Sequence, residues 1–573
     1  MRIYRYFILM LMVPLLWGTP SCSLEEELYS TPTPEAIRTE TDATAVVNGM
    51  YARFNDAAAF KFQGMLMLML MADDLYSDSG SEYGPWGQRT LSGVNTASFW
   101  NQLYLTIGHA NDVIKLMDDR QFSAEFEKRI YGEAYFIRAF CYYYLVRMYG
   151  GVPLRLEAVD INSNFYLPRS SVDQVYTQIF EDLTKASIRL PLAKSIAAAE
   201  LGRASKGAAQ AFMAQASLTY GNQLSLKGQD PTLHYSNAIT YADSVITSGQ
   251  YELLNFADLF DITKETNAYN EVIFGVRFQT DNQNRAQPAA GSEFALRFMA
   301  PATVGVTGRP NTSGAANIKP MHWFADFYRT GDYALGTGNT AILDFRNEVS
   351  FYLRGKNAAG NTVVMYPDTT LRSNTARVAF PLVGKYKDPG GKDERNHGND
   401  LFIIRFAEMY LIKAEAENEL RGPTPVAITA FNEVRKRAQR ANGTPRAVPV
   451  LLPDNNSGNL TKAQFRLKIF HERGLELVGE GQRWFDLVRM QHPTDPSKTM
   501  YEYQFKEELP QTKYPKTLPV WRPNVAPPRW SNSNAVYAPA LNVSVPKFLL
   551  FPVPTSELLQ NPSIGLRNQN IGW

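Results

Sequence analysis

Apolar residues return every three to four positions along several stretches of the chain, the period of an amphipathic helix. These stretches are 41–55 ("TDATAVVNGMYARFN"), 97–118, 123–149, 171–187, 203–220 and 235–248. After a gap the pattern resumes at 403–420, 424–440 and 461–478. Short polar or Gly/Pro connections join many of them, so successive helices are expected to fold back on one another. That predicts a tetratricopeptide-like scaffold over about 40–250 and 400–490, of irregular period and without a complete repeat signature. Between about 250 and 400 the texture changes. "EVIFGVRF" and "TVVMYP" are short, apolar and β-rich, and Gly, Asn and Pro clusters such as "GRPNTSGAAN" and "KDPGGKDERNHGND" separate them. A second loop-rich region, 491–550, contains "PVWRPNVAPPRWSNSNAVYAP". Long irregular segments in a compact protein commonly carry function. The expected fold is mainly α: helix pairs frame the molecule, while long irregular loops and short strands carry its binding surface.

The amino terminus reads as an address. Arg2 and Arg5 precede an apolar run from Phe7 to Trp17, and small residues lead to Cys22. The run is too short for a bilayer core of about 30 Å. It fits the apolar segment of a secretory signal peptide over 1–21. A cysteine just after such a segment can accept a diacylglycerol, and "GTPSC" is a loose bacterial lipobox. The alternative is ordinary cleavage that leaves a spare thiol. Cys22 is the expected lipidation site, anchoring through acyl methylenes worth about 0.8 kcal/mol each, and 22–573 is expected to form a single domain. Cys141, inside "FIRAFCYYYLVRMYG", reads as a small buried hydrophobe.

The chain has 58 basic and 56 acidic residues, and two of the basic ones lie in the leader. This balance offers no electrostatic case for nucleic acid. The six histidines are scattered and no Cys/His spacing suits zinc, so neither a metal nor another cofactor is expected.

One stretch invites an enzyme reading: "HERGLELVGEGQRWFDLVRM", 471–490, with Glu472, Glu476, Glu480 and Asp486 among arginines. Thr461 and Gln464 have the spacing of a capping box, so a helix is expected to start there. The glutamates then recur every four residues, on one face if the helix runs that far, and such like charges repel unless cations stand by. Gly479 and Gly481 would loosen the helix before "QRWFDLVRM" starts another. A glycosidase also needs two carboxyls, one of them with a raised pKa. Here each carboxylate has an arginine close in sequence, which lowers a carboxyl pKa and fits a structural ion network.

Five motifs in order resemble the RagB/SusD family. They are "YFIRAFCYYYLVRMYGGVPL" (135–154), "LFIIRFAEMYLIKAEAEN" (401–418), "AITAFNEVRKRA" (427–438), "ERGLELVGEGQRWFDLVRM" (472–490) and the closing "LFPVPTSELLQNPSIGLRNQNIGW" (550–573). Gly474 and Gly479 depart from the family pattern and would loosen packing locally. The acidic "SLEEE" after Cys22 resembles a surface-export tag of Bacteroidetes lipoproteins. The resemblance implies a cell-surface outer-membrane lipoprotein, without catalytic residues, that captures oligosaccharides for a SusC-like TonB-dependent transporter. The alternatives are a peptide-binding member of the same family, or a surface glycoside hydrolase.

Sugar rings stack on aromatic faces, and their hydroxyls need carboxylate, amide or guanidinium partners. "MADDLYSDSGSEYGPWGQRT" (71–90) holds that mixture in Asp73, Asp74, Tyr83, Trp86 and Arg89. Phe298 and Trp323, flanking the 300–320 loop, are the second choice, and Trp521 and Trp530 the third. The competing reading of each is core packing. Trp100, Trp484 and Trp573 lie in helical or family-motif segments and are expected to be structural.

Overall fold

The computed structural model describes residues 37–77, 83–87, 89–279, 291–299, 317–336, 341–356, 362–364, 381–389, 396–441, 444–509, 519–522, 529–532 and 544–573. The expected signal peptide and Cys22 lie outside the described residues. By its contacts the chain divides into a short unit, Met1–Ala45, and a body, Val46–Trp573. Within the first unit the Asp42 carboxylate accepts the Thr39 backbone N–H at 2.9 Å, where helix α1 (Glu40–Ala52) begins.

In the body, α2 (Gln63–Leu70), α3 (Gly93–Asp119), α4 (Ala124–Tyr149), α5 (Val172–Ser187), α6 (Lys206–Leu226) and α7 (Thr232–Ile246) come first. Then follow α8 (Phe406–Arg421), α9 (Pro425–Ala438), α10 (Lys462–Leu477) and α11 (Arg483–Arg489). Neighbours in sequence pack together from α3 through α7, and α8 packs against α7, α9 and α10. These are the helix pairs that the 3.6-residue period predicts, with ends displaced by a few residues.

Local chemistry explains several boundaries. The Thr461 hydroxyl accepts the Gln464 N–H at 3.2 Å and the Gln464 side chain accepts the Thr461 N–H at 2.9 Å, a complete capping box. At α9, Thr424 caps the helix and Pro425 takes its first turn, where a missing N–H costs nothing. Gly479 and Gly481 have φ of 78° and 77°, so the chain leaves α10 through left-handed backbone before α11.

Helix α4 runs through the centre. Its Phe136 and Phe140 meet Phe212 of α6 and Phe274 edge-on, at centroid distances of 4.9–5.5 Å. Cys141 is fully buried beside them. Four strands matter for the site: β1 (Leu75–Ser77), β2 (Val272–Val276), β3 (Ile318–Pro320) and β4 (Leu401–Arg405). They form two antiparallel pairs, β1 with β3 and β2 with β4.

Three details differ from the sequence reading. The run expected as helix from 403 starts as strand, because Leu401–Arg405 pairs with β2 and helix begins only at Phe406. Helix α2, "QGMLMLML", has no polar face for a period to register: all but its first residue are buried. Gly474 does not loosen its surroundings. It sits under the Tyr328 hydroxyl, where a β-carbon would come within 2.4 Å of the oxygen.

Candidate ligand site

The stretch 471–490 resolves into buried ion pairs. Glu472 accepts Arg435 Nε at 2.8 Å and meets Arg346 at 2.6 Å. Glu476 meets Arg405 at 2.9 Å, Arg346 at 3.0 Å, and Arg437. Glu480 accepts Arg405 Nε at 2.8 Å and Lys385 Nζ at 2.7 Å. Arg473 joins Asp486 at 2.8 Å to Glu408 at 3.0 Å. Burial alone would raise the Glu472, Glu476 and Asp486 carboxyls, but the surrounding guanidinium charges outweigh it and hold all three below the ordinary range. They are anions at neutral pH, with no proton to give.

The expected ligand residues lie in another part of the body, and the structure draws most of them together. Pairing of β1 with β3 places Ser77 opposite Ile318 and Leu75 opposite Pro320. The Met321 N–H donates to the Asp74 carbonyl at 2.7 Å, and Trp323 Nε1 donates to the Asp73 carbonyl at 3.0 Å. The segments 71–77 and 317–323, some 240 residues apart in sequence, are therefore one unit. Arg89, in left-handed backbone with φ of 56°, reaches back to the Met71 and Ala72 carbonyls at 3.3 and 3.2 Å. It also donates to the Tyr501 hydroxyl and lies 4.4 Å above the Phe505 ring.

Enclosure divides the set. Asp73 is fully buried and accepts Arg483 Nε and Nη2 on its two oxygens, at 2.7 and 3.0 Å. Phe298 is sealed in a stack with Phe294 and Tyr386, at 6.1 and 5.4 Å. Tyr83 meets Phe62 edge-on at 5.3 Å with Arg297 over its ring. Arg89 and Trp323 are buried by the contacts above. Trp86 is half-buried on the turn Gly84–Gly87, where its one ring contact among the described residues is edge-on to Phe551 at 6.5 Å.

Polar capacity remains at this place. Among the described residues Asp74 Oδ1, the Tyr83 hydroxyl and Asn317 Oδ1 are buried without a hydrogen-bond partner. Burial pushes the Asp74 carboxyl up to about 7, helped by the Asp73 charge and opposed by Arg483. Asp74 is thus a donor as well as an acceptor near neutral pH. Ser77 and Ile318 are paired with each other at the end of this strand pair. The sequence reading passes over Asn317 and Arg297; adjacency to β3 and to Phe298 was their only signal.

Trp521 and Trp530 are cross-strand partners in a two-stranded ribbon, Pro519–Arg522 with Arg529–Asn532. Trp100 and Trp484 are buried, and Trp573 donates its ring N–H to the Lys547 and Leu550 carbonyls at 2.8 and 3.0 Å.

The fold superposes on those of known structures. A SusD homolog from Bacteroides thetaiotaomicron superposes with a TM-score of 0.72 at 21% identity, over 93% of this chain and 97% of that one. A laminarin-binding SusD-like protein gives 0.64 at 20% identity, over 94% of this chain and all of that one. Surface glycan-binding protein A from Bacteroides fluxus gives 0.65 at 20%, over 93% of this chain and all of that one. In sequence the chain is 27% identical to SusD-like protein P2 of Formosa agariphila over 518 residues, 86% of this chain and 91% of the relative. The SusD family model matches residues 270–573, more than half of the chain. A second model, described as starch-binding and associating with the outer membrane, matches 24–218. The chain belongs to the SusD family.

Proposed function

We propose that this protein is a lipid-anchored nutrient-binding protein of the cell surface. It captures oligosaccharides and hands them to a SusC-like TonB-dependent transporter in the outer membrane. The observation that carries this reading is family membership, with matches to both halves of the chain. The glycan-binding names of two structural relatives support the ligand class.

The ligand site we assign is the patch around the β1–β3 pair. Trp86 supplies a partly open ring face, and Asp74, Tyr83 and Asn317 hold polar atoms without partners among the described residues. Asp73 and Trp323 lie one layer below, and the hydrogen bond between them fixes the two segments against each other, with Arg89 and Phe298 buried nearby. The charge distribution supports binding over hydrolysis. A glycosidase needs two carboxyls facing one bond, about 5–10 Å apart. Asp74 has a neighbouring carboxylate in Asp73, but Arg483 holds that group on both oxygens.

The test is titration of the purified chain with defined oligosaccharides, with product analysis on the same samples. Binding without turnover is expected, and Trp86→Ala should weaken it about tenfold, about 1.4 kcal/mol, with an unchanged circular dichroism spectrum. Cleavage of the glycan would overturn the binding reading, and unchanged affinity would move the site away from Trp86.

A further inference from the structure

A second feature lies on the helical frame. Helix α8 is flanked by α7 on one side and α9 on the other. Over its outer face the three helices enclose an open cavity of about 360 Å³, lined by Ile246, Tyr410, Lys413, Val426, Thr429 and Glu433 among others. That volume is within the usual range for ligand sites, roughly 300–1,000 Å³. Spacing explains the trough. Tyr410 and Lys413 are three apart on α8 and share its outer face, while Val426, Thr429 and Glu433 repeat every three to four residues along the wall of α9. Small side chains at Thr429 and Ala430 leave the space open.

The chemistry of the lining is specific. Tyr410 packs edge-on against Phe406 at 5.3 Å and keeps the rest of its ring half-exposed. Neither its hydroxyl nor that of Thr429 has a protein partner among the described residues, whereas Thr240 on α7 bonds back to the Ser236 carbonyl at 3.0 Å. Lys413 gives one ammonium hydrogen to Asp243 at 2.6 Å, and Glu433 gives one carboxylate oxygen to Lys436 at 2.7 Å. Both retain capacity. One aromatic ring is thus surrounded by two free hydroxyls, spare ammonium donors and a spare carboxylate oxygen. The opposite charges balance, which favours a neutral ligand over an ionic one.

We propose that this trough is a second carbohydrate subsite, which takes a neutral pyranose unit stacked on Tyr410 and hydrogen-bonded to Lys413, Thr429 and Glu433. It rests on the reading that the protein binds glycans, and it adds a place on the helical frame, formed by α7, α8 and α9, where a long chain gains another contact. Two contacts on one oligosaccharide raise its effective concentration at each.

The experiment is isothermal titration with maltohexaose, laminarihexaose, cellohexaose, xylohexaose and mannohexaose, on the wild type and on two variants. Thr429→Arg sends a long side chain across the trough from an exposed helical position, so the fold should hold; an unchanged thermal midpoint checks this. Tyr410→Ala removes the ring. With at least one of these sugars two classes of site are expected, and each variant should weaken one class at least tenfold while leaving the other. A single class of site unaffected by Thr429→Arg would overturn the trough and leave the proposed function standing. No binding of any of the five would overturn the glycan reading and the trough together.

Discussion

Asp74 shows what a single buried carboxyl does to the stability of the fold. Its pKa rises from an ordinary 3.8 to about 7 because burial disfavours the charge and Asp73 stands beside it. The folded state therefore holds this proton up to about pH 7, while the unfolded chain releases it near 4. Between those values the native state binds more protons, so stability falls as pH rises. The full difference is at most about 4 kcal/mol, at about 1.4 kcal/mol per unit. Asp74→Asn should remove that slope. Its thermal midpoint should match wild type near pH 4 and exceed it at pH 8. A variant that is less stable at pH 8 would show that Asp74 works as a paired anion. On the proposed function Oδ1, without a partner among the described residues, is also where a sugar hydroxyl would gain, because a buried polar atom without a partner carries a penalty that a ligand relieves.

At the level of elements, the join between α10 and α11 is where ion pairing becomes architecture. Glu480 stands past the last turn of α10, and Arg405 from β4 and Lys385 from the 381–389 segment converge on it. Removing one partner of a buried pair strands the other charge, at about 3–5 kcal/mol. Glu480→Ala is therefore expected to lower the thermal midpoint and the yield of folded protein; a variant as stable as wild type that lost ligand binding would reopen the active-site reading. Gly474→Ala tests the same join by volume, since its β-carbon would meet the Tyr328 hydroxyl at 2.4 Å. A loss of stability is expected, measured by urea unfolding, and an unchanged midpoint would mean that Tyr328 swings away without cost. The helices were legible in the sequence wherever one face stays polar, as in α5 and α10, whose capping boxes also mark their starts. Helix α2 was not, because it is enclosed all round. The proposed site is read from sequence as a mixture of residue types, and the structure buries most of those side chains. Aspartates, aromatics and an arginine in a glycine-rich stretch point to 71–90, but Asp73 meets Arg483 across 410 residues of chain, and no local pattern encodes that pair.

For the whole molecule, the proposed function asks how weak contacts with a sugar would become uptake. The described residues of both loop-rich regions belong with the helices to one body, Val46–Trp573, so the proposed ligand patch is carried by a frame with extensive buried ion pairing. On the proposed function a lipid at Cys22 would confine the protein to the membrane surface and so raise its effective concentration beside a transporter there. On that reading modest affinity for the glycan would suffice and would let the sugar leave. Anchoring and binding are separable on this account. Cys22→Ala is expected to disappear from the outer-membrane fraction, while the purified variant binds the same oligosaccharides with wild-type affinity. Mass spectrometry of the native amino terminus should find the lipid on Cys22, and gentle detergent extraction should bring a TonB-dependent barrel down with the protein. A Cys22→Ala chain that stays in the outer membrane, or a native protein always recovered free of any barrel, would break the link between this fold and delivery to a transporter.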